Sequence, residues 1–482
     1  MVAIRTNRPD YRNDIAEEIR LFLGLVEIPL LSEGETAELV FDLQMEKAGN
    51  AYTIRAKAGD LLDCTDFTIQ SNDPLLIKKY EKRQMKLAVY RLLKHLYPQA
   101  PTPWGSLTGI RPTKLYRELS AGGGREEAAR MFLGVFQVSP QKIALADTIC
   151  RVQQPVIASA GPMDLDVYIG IPFCKTRCLY CSFASEVLGK GNLLDQYFAA
   201  LLADIQKGGQ LAHAYGYHIR ALYVGGGTPT VLSADQLKEL LDTAYGAYGD
   251  FTECTVEAGR PDSIDREKLF TLRDRNVGRI SINPQTMNDA TLHRIGRAHS
   301  VQETVDAFRL AREIGFDSIN MDLIAGLPGE TEADMDGTLR QVAALSPDNL
   351  TVHALAIKRS SRLKAQLEAY PLPSAEETDR MISAGFRAAE EMGMAPYYMY
   401  RQKYMNGNLE NVGYCLPDKV CVYNIDMMEE TVSILSHGAG SMTKRVFGSE
   451  NRIERLPNPK DVPTYLGKLA EMEKRRESLF SI

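Results

Sequence analysis

Short apolar runs alternate with helical patterns from Asp164 onward, and this alternation restricts the chain to few folds. Each run is short and rich in β-branched residues, as expected of a strand buried in a parallel sheet. The six runs are "DVYIGIPF", "IRALYVGGG", "FTECTVEAG", "GRISINPQ", "SINMDLIAG" and "NLTVHALAI". Helical patterns such as "ADQLKELLDTAYGAY" and "VQETVDAFRLAREIG" separate them. The pattern predicts an α/β fold with right-handed crossovers, either a doubly wound sheet or an incomplete TIM-like barrel.

The flanking regions have a different character and predict two further domains. Near the start, "AYTIRAKA" alternates like a strand, and residues 76–97 form a basic amphipathic helix pattern. The stretch "PQAPTPWGSLTGIRPTK" is rich in Pro and Gly and is expected to be irregular. We therefore predict an N-terminal α+β domain of unknown role over residues 1–160 and a core over 161–370. Residues 371–482 are expected to form a smaller α-rich domain that caps the substrate side.

Composition and charge exclude several classes of protein. The 482 residues include 56 basic and 62 acidic side chains, so the chain lacks the overall positive charge of a nucleic-acid-binding protein. No apolar run reaches the ~18 residues of a membrane span, and the start is too polar for a secretory signal. A cytoplasmic location is expected. The charge run from Lys78 to Arg83 is interpreted as a solvated helix face, with an RNA- or partner-binding patch as the alternative.

Three of the eight cysteines lie within "CKTRCLYC", at Cys174, Cys178 and Cys181. Cys174 directly follows the first predicted strand, at the sheet edge where α/β folds place their active sites. Three thiolates suit an iron–sulfur cube that keeps one iron open for a further ligand. A zinc site completed by His213 or His218, and three unconnected thiols, are the alternatives.

A glycine-rich turn, "GGGTPT", ends the second predicted strand over Gly225 to Thr230. Glycines at a strand end allow backbone groups to approach a ligand closely. The spacing matches neither a P-loop nor G-x-G-x-x-G, which disfavours binding of a nucleotide phosphate. A turn without a ligand remains the alternative.

The cysteine spacing after strand one, together with "GGGTPT" after strand two, resembles the radical S-adenosylmethionine (SAM) superfamily. The resemblance implies a partial (β/α)6 barrel, a 4Fe-4S cluster and bound SAM. In that family, the open iron chelates the amino and carboxylate groups of SAM, and cluster reduction splits SAM to methionine and a 5′-deoxyadenosyl radical. The glycine stretch receives the amino group.

Three further stretches resemble the oxygen-independent coproporphyrinogen III dehydrogenase group: "TVEAGRPDSI", "SINPQTMNDATLHRIGR" and "NMDLIAGLPGET". The N-terminal region with "WGSLTGIRPTKL" is similar to the HemZ-type branch of this group. The resemblance implies oxidative decarboxylation of two propionates of coproporphyrinogen III to vinyls, giving protoporphyrinogen IX. Implied partners are this tetrapyrrole, an electron donor such as flavodoxin or ferredoxin, and an unknown electron acceptor, without nucleic acid or a membrane span.

The resemblance also implies roles for single residues. Cys174, Cys178 and Cys181 would be the cluster ligands. Tyr168 would contact the methionine end of SAM, and Tyr180 would line its adenine. The remaining SAM contacts implied by matching motifs are Gly226, Gly227, Thr228, Glu257, Gln285, Arg297, Asp322 and Ala356. No catalytic residue is assigned beyond the cluster.

Several positions depart from the pattern of the group or lie outside it. Phe183 stands where some members carry a further cysteine. In "ENVGY", Glu410 replaces the His of the H-N-x-x-Y motif of the related haem-chaperone branch, which weakens a haem-binding interpretation. Cys415 and Cys421 are interpreted as ordinary thiols rather than a second metal site, and His437 as a turn-stabilising residue rather than a substrate contact. A haem-trafficking protein and a radical SAM enzyme acting on another substrate such as RNA remain alternatives.

Overall fold

The computed structural model describes most of the chain, in two compact units. The described residues are 1–24, 26–32, 34–183, 185–189, 191–358, 360–402, 409–450 and 452–481. Met1–Asp147 and Arg401–Leu409 form the first unit, and Thr148–Tyr400 and Glu410–Ile482 form the second. Within the described ranges, no helix is both long and apolar enough to cross a membrane.

The first unit is built on a four-stranded sheet of order β1-β2-β3-β4. Its strands are β1 (Val2–Thr6), β2 (Leu39–Ala48), β3 (Ala51–Ala58) and β4 (Leu61–Thr68). Its helices are α1 (Arg12–Leu23), α2 (Pro74–Leu96) and α3 (Pro112–Gly134), and α4 (Pro140–Ala158) runs from the first unit into the second. The predicted strand over 51–58 and the predicted helix over 76–97 are confirmed as β3 and α2.

Alternation along β3 explains how this sheet buries one face. Tyr52, Ile54, Ala56 and Ala58 are all buried in a core shared with helices α1 and α2. The start of α2 is fixed locally, because Asp73 caps it by accepting a hydrogen bond from the Leu75 amide.

The second unit is organised around an eleven-stranded sheet of order β13-β14-β12-β11-β10-β9-β8-β5-β15-β16-β17. The predicted runs are confirmed as six parallel strands, in chain order across the sheet. They are β5 (Asp164–Ile171), β8 (His218–Gly226), β9 (Glu253–Gly259), β10 (Arg279–Ile282), β11 (Ser318–Ala325) and β12 (Asn349–Ala354). The short strands β6 (Phe173–Cys174) and β7 (Glu186–Val187) form a separate pair.

Helices connect the parallel strands and cover the sheet. They are α5 (Leu193–Ala214), α6 (Ala234–Tyr248), α7 (Arg266–Asp274), α8 (Asp289–Arg294), α9 (Val301–Ile314), α10 (Glu332–Leu345), α11 (Arg362–Ala365) and α12 (Ala375–Glu391). Three of them begin with capping boxes, in which a side chain and the helix backbone exchange hydrogen bonds. The α/β fold expected from the sequence is therefore confirmed.

The C-terminal residues add strands to both edges of this sheet. On one side lie β13 (Ala395–Tyr400) and β14 (Asn411–Cys415), and on the other β15 (Ser433–His437), β16 (Met442–Phe447) and β17 (Arg452–Pro457). The helices of this region are α13 (Val422–Glu429), α14 (Val462–Gly467) and α15 (Leu469–Phe480). The compact units therefore do not follow the boundary predicted at residue 370, because these C-terminal strands pair with the core sheet.

The two faces of β5 show how the sheet positions a site. Leu165, Val167, Ile169 and Ile171 are fully buried and alternate with Asp166, Tyr168 and Gly170. Successive side chains of a strand point to opposite faces, so one face is apolar and the other carries polar groups. The polar face continues across the sheet, since Tyr168 is paired with Tyr223, and Tyr223 with Thr255.

Candidate functional site

The cysteine loop begins directly after β5, at the carboxyl edge of the parallel strands. Cys174 lies in β6 and pairs with Val187, and its carbonyl accepts a 2.9 Å hydrogen bond from the Leu188 amide. Farther along, the Cys181 amide donates to the Cys178 carbonyl at 3.2 Å. Among the described residues, no three or more His, Cys, Asp or Glu side chains are gathered into a group that could hold a metal ion. Burial raises the pKa of the Cys181 thiol, and the nearby Cys178 and Cys174 thiols add to this increase.

Two segments from later in the chain hold this loop by hydrogen bonds. The Leu179 amide donates to the Ile295 carbonyl, and the Leu363 amide donates to the Leu179 carbonyl, each at 2.9 Å. In addition, Arg362 Nη2 donates to the Arg177 carbonyl at 2.8 Å. The loop is thus fixed between the segment after α8 and the start of α11.

The glycine turn after β8 packs directly against Cys174. A Cβ atom on Gly227 would lie 2.6 Å from the Phe173 carbonyl oxygen and 2.9 Å from Cys174 Sγ, which is too close for any larger residue. Gly226 has a φ of +114°, which L side chains rarely adopt. The Thr228 hydroxyl is 3.6 Å from Cys174 Sγ. The two motifs recognised separately in the sequence therefore lie in contact.

Two buried arginines lie beside the sulfur atoms. Arg260 Nη1 is 4.0 Å from Cys178 Sγ and donates to the Thr176 hydroxyl at 2.7 Å. Arg297 donates to the Asn283 and Pro284 carbonyls, the latter at 3.1 Å. Burial alone would lower the pKa of the Arg297 guanidinium. The neighbouring Tyr180 and Cys178 raise the pKa by a larger amount, so it lies above the usual range. Both guanidinium groups therefore lie near the sulfur of Cys178.

This donor set fits an iron–sulfur cluster better than a structural zinc ion. Three soft sulfur donors on one loop, with cations beside them, match the ligands of a three-cysteine cluster. A tetrahedral zinc site needs a fourth ligand. His218 begins β8 opposite Asp164 at the amino end of β5, whereas Cys174 lies beyond the carboxyl end. His213 is exposed and contacts the Ala247 carbonyl at 3.0 Å instead.

A tyrosine and a carboxylate meet on the polar face beside this turn. A Cβ on Gly225 would lie 3.3 Å from the Tyr168 hydroxyl and 3.4 Å from Glu257 Oε1. Tyr223 donates a 2.7 Å hydrogen bond to the same Glu257 oxygen. Burial, with a contribution from the negative charge of Asp322, raises the pKa of Glu257 to about 7. This carboxyl therefore changes its charge near neutral pH.

Gln285 and Asp322 are joined through their backbones. The Gln285 amide donates to the Asp322 carbonyl at 2.9 Å, and Gln285 has a φ of 72°, an uncommon conformation for a residue other than glycine. The Asp322 carboxylate accepts a 2.8 Å hydrogen bond from Asn320 and lies 3.8 Å from His353 Nε2. Burial raises the pKa of Asp322, but His353 and Asn320 more than offset this, so the pKa lies below its ordinary value.

The predicted site residues thus form two neighbouring groups. Those around the cysteine loop are Cys174, Cys178, Tyr180, Cys181, Gly226, Gly227, Thr228 and Arg297. Those on the polar face are Tyr168, Glu257, Gln285 and Asp322. The glycine turn belongs to the first group and borders the second at Gly225, beside Tyr168 and Glu257. Ala356 follows the carboxyl end of β12, at the same edge of the sheet.

Sequence reasoning missed four side chains of this region: Arg260, Tyr223, His299 and His353. Arg260 directly follows β9 within the quoted "TVEAGRPDSI", so its position at a strand end was the available signal. Tyr223 lies on β8 two residues before Gly225, so strand alternation places it on the same face as the start of the glycine turn. His299 is buried, and burial together with nearby Arg297 lowers its pKa to about 3, which keeps the ring neutral.

Two residues singled out in the C-terminal region belong to other parts of the second unit. His437 is fully buried at the end of β15, 3.2 Å from Asp204 Oδ1 and 2.5 Å from the Tyr248 hydroxyl. It is paired with Ile169, whose side chain lies on the apolar face of β5. Cys421 is buried and its thiol lies 3.3 Å from Glu253 Oε1, at the amino end of β9.

Comparison with known proteins identifies the class of this fold and site. Residues 168–342 match the model of the radical SAM superfamily. It is also 38% identical over 384 residues to the oxygen-independent coproporphyrinogen-III oxidase-like protein HemZ of Bacillus subtilis. That match covers 78% of this chain and 77% of HemZ. The chain therefore belongs to the HemN/HemZ-type group of the superfamily.

Two further relatives define the breadth of this group. The haem chaperone HemW of Escherichia coli is 30% identical over 308 residues, 61% of this chain and 80% of HemW. The solved structure of the Escherichia coli coproporphyrinogen III oxidase HemN superposes with a TM-score of 0.53 at 24% identity. It covers 67% of this chain and 73% of HemN, and it shows the shared fold.

Proposed function

We propose that this protein oxidatively decarboxylates two propionates of coproporphyrinogen III to vinyl groups, giving protoporphyrinogen IX. The observation that carries the proposal is the contact between the cysteine loop and the glycine turn, in a chain of the HemZ type. Gly227 is packed against Cys174 Sγ, and Thr228 is 3.6 Å from it. The name of the HemZ relative supports the choice of substrate.

In this proposal, Cys174, Cys178 and Cys181 hold a 4Fe-4S cluster and the neighbouring residues hold SAM. When bound together, the two would supply a 5′-deoxyadenosyl radical by one-electron cleavage of SAM. Glu257 and Asp322 suit ribose hydroxyls and the sulfonium charge, and Arg297 suits a carboxylate. The other proposed SAM contacts are Tyr168, Tyr180, Gly226, Gly227, Thr228, Gln285 and Ala356.

The proposed reaction balances one propionate at a time. One hydrogen atom leaves the β-carbon of the propionate and ends in 5′-deoxyadenosine. The carboxylate leaves as carbon dioxide, and the electron that remains passes to an acceptor. The two propionates therefore consume two SAM molecules. A protein donor such as flavodoxin or ferredoxin would deliver two electrons in total, one for the cleavage of each SAM molecule.

The cluster is tested first by its ligands. Anaerobically reconstituted protein is expected to bind about four irons, and Cys178→Ala is expected to lose the cluster and all SAM cleavage, because a 4Fe-4S cube needs its cysteine ligands. Iron analysis and visible absorbance measure this. Cys64→Ala is the matched control, since Cys64 is an exposed thiol of β4. A cluster fully retained in Cys178→Ala would remove Cys178 from the ligand set.

The reaction is tested by its products. With coproporphyrinogen III, a reductant and an electron acceptor without oxygen, deoxyadenosine and protoporphyrinogen IX are expected in a ratio of about two to one, through a monovinyl intermediate. Chromatography of both products measures the ratio. Deoxyadenosine release without loss of propionate, while a known dehydrogenase works in the same mixture, would reject the decarboxylase.

The HemW relatives favour haem trafficking as a second candidate. Against it, Glu410 replaces the histidine of the haem motif, and this residue is buried just before β14. A carboxylate is an uncommon ligand of haem iron. Haem titration followed by absorbance separates the two candidates, because tight uptake of one equivalent would favour trafficking.

The basic helix α2 gives little support to the alternative that this protein acts on RNA. Its lysines are paired with acidic residues of the same unit: Lys79 with Glu118 at 3.4 Å, and Lys82 with Asp14 at 3.3 Å. Such pairs are typical of a solvated helix face, as interpreted from the sequence.

A further inference from the structure

An exposed surface surrounds the cysteine loop, and the proposed reaction assigns it no role. We call it the cluster rim and define it by Lys175, Arg177, Phe183, Arg362 and Lys364. Lys175, Phe183, Arg362 and Lys364 are exposed, and Arg177 is half-buried. The Phe183 side chain is 70% exposed, which is unusual for a large aromatic residue and marks a candidate interaction surface.

Side-chain hydrogen bonds to backbone carbonyls hold the members of the rim together. Arg362 Nη2 donates to the Arg177 carbonyl at 2.8 Å, and Arg177 Nη2 lies 3.5 Å from the Ser360 carbonyl. The Ser360 hydroxyl donates to the carbonyl of Ser182, next to Phe183, at 3.3 Å. The rim is therefore one continuous surface over the loop that carries the three cysteines.

The rim is positively charged although the whole chain is acidic. Residues 174–183 and 360–365 contain Lys and Arg but no Asp or Glu. The carboxylate of Asp262, which lies near Lys175, already accepts 2.9 Å hydrogen bonds from Arg260. A cationic ring around an exposed aromatic residue fits an acidic protein partner, because charge steers the encounter and the aromatic residue supplies buried contact area.

We propose that the cluster rim is the docking surface for a small acidic electron-carrier protein. The proposal rests on the proposed function, since only a cluster on this loop would need an electron here. A protein carrier approaches from outside the fold. Its electron therefore takes the shortest path, which crosses the exposed surface above the cysteines. One electron leaves the reduced flavin or iron–sulfur group of the carrier and enters the cluster, and the carrier is oxidised by one electron.

The test compares two double variants, with flavodoxin as the probe. The rim variant is Phe183→Ala with Lys364→Glu, and the control is Phe270→Ala with Lys238→Glu. Phe270 is 64% exposed on α7, and Lys238 is exposed on α6. At low ionic strength, the second-order rate of cluster reduction by reduced flavodoxin is expected to fall about tenfold or more in the rim variant only. Stopped-flow absorbance measures the rate.

Salt dependence gives an independent outcome. Added salt should slow reduction of the wild type more strongly than that of the rim variant, because Lys364→Glu lowers the positive charge of the rim that salt screens. Equal rates for the rim variant and the wild type would overturn the proposal. Iron content and the signal of the dithionite-reduced cluster, measured by electron paramagnetic resonance, show whether each variant is intact.

Failure of the docking proposal is distinguishable from failure of the proposed function. Oxidised flavodoxin is titrated against protein without cluster, and the change in flavin fluorescence anisotropy reports binding. Weaker binding to the rim variant than to the control supports the docking surface even if reconstitution yields no cluster. Equal binding of both variants overturns it even if the cluster and SAM cleavage are present.

Discussion

At the scale of residues, two acids on the same polar face acquire opposite properties from their neighbours. Glu257 has a pKa raised to about 7, and Asp322 has a pKa below its ordinary value. Both are enclosed by the sheet, which disfavours the charged form of each. Asp322 has His353 and the Asn320 amide to stabilise its charge. Glu257 has the Tyr223 hydroxyl and a smaller contribution from His353, and the charge of Asp322 opposes its ionisation.

The first prediction concerns pH and Glu257. SAM is cationic, so we expect it to bind better when Glu257 is ionised. The affinity should therefore be constant above about pH 8 and fall as the pH drops through the folded pKa, by about tenfold at pH 6. Equilibrium dialysis of SAM at several pH values measures this.

Glu257→Gln is the matched variant for this prediction, since it keeps the shape and removes the titration. Its SAM affinity should be lower at pH 8 and independent of pH between 6 and 8. A wild-type affinity that does not change over the same range would contradict a contact between Glu257 and the cationic part of SAM.

The second prediction concerns Asp322, whose carboxylate stays ionised at neutral pH. Asp322→Ala should keep the iron–sulfur absorbance and weaken SAM binding. A charge-assisted hydrogen bond contributes about 1.5–3 kcal/mol, or roughly ten- to a hundredfold in Kd. Asp306→Ala, on the exposed face of α9, serves as the control. Unchanged SAM affinity in Asp322→Ala would remove this residue from the site.

At the scale of elements, the turn after β8 brings the two motifs of the site together. Its glycines are required by contact rather than by flexibility alone, because Gly227 faces the Phe173 carbonyl and Cys174 Sγ. The cysteine loop is held in turn by β6, which pairs with β7, and by the start of α11. A change in the turn is therefore transmitted to the first cysteine.

The third prediction is that Gly227→Ala displaces the loop. The new Cβ would lie 2.6 Å from a backbone oxygen, which cannot move without shifting the chain around Cys174. We expect reconstituted iron to fall by at least about half, while the far-ultraviolet circular dichroism stays native. Gly246→Ala is the control, because nothing lies within 4 Å of its Cβ position on α6. It should bind iron normally and be slightly stabilised, since Ala favours a helix over Gly.

At the scale of the molecule, a buried polar network joins distant parts of the second unit. Asp204 on α5 accepts hydrogen bonds from Arg476 on α15 and, at 2.7 Å, from Tyr465 on α14. His437, at the end of β15, lies 3.2 Å from the same carboxylate. Burial raises the pKa of Asp204, but Arg476 and His437 outweigh it and hold the pKa well below its usual range. The C-terminal helices are thereby tied to the core.

The fourth prediction is that Asp204→Asn destabilises this unit. Removing one partner of a buried ion pair leaves Arg476 uncompensated and costs about 3–5 kcal/mol in the free energy of unfolding. Urea denaturation followed by circular dichroism measures the loss. Asp250→Asn, an exposed position, should change stability by less than about 0.5 kcal/mol.

The pH dependence of that loss has a definite sign. The folded pKa of Asp204 lies below the unfolded value of about 3.9, so the ionised carboxylate contributes stability that is complete above about pH 5. That contribution is lost as the pH falls towards the folded pKa. The difference between wild type and Asp204→Asn should therefore shrink in acid, and a difference that grows in acid would contradict the assigned charge.

Local patterns were sufficient for the core of this protein. The six apolar runs became six parallel strands in chain order, and the helix pattern over 234–248 is α6 to the residue. Strand alternation and helix capping act over a few residues, so the sequence carries them directly. The cysteine spacing and the glycine turn were also legible, because each lies within one loop at a strand end.

Tertiary structure decided what depends on pairing between distant residues. The strands β14 and β15 join opposite sides of the parallel strands, next to β12 and β5, although both come from one C-terminal stretch. Their sequences, NVGYC and SILSH, are too short to indicate a partner strand. The same holds for Arg260 beside Cys178 and for Tyr223 beside Glu257. Sequence by itself determined which residue types were available for the site, and only the sheet register, which joins segments far apart in the chain, determined which of them meet.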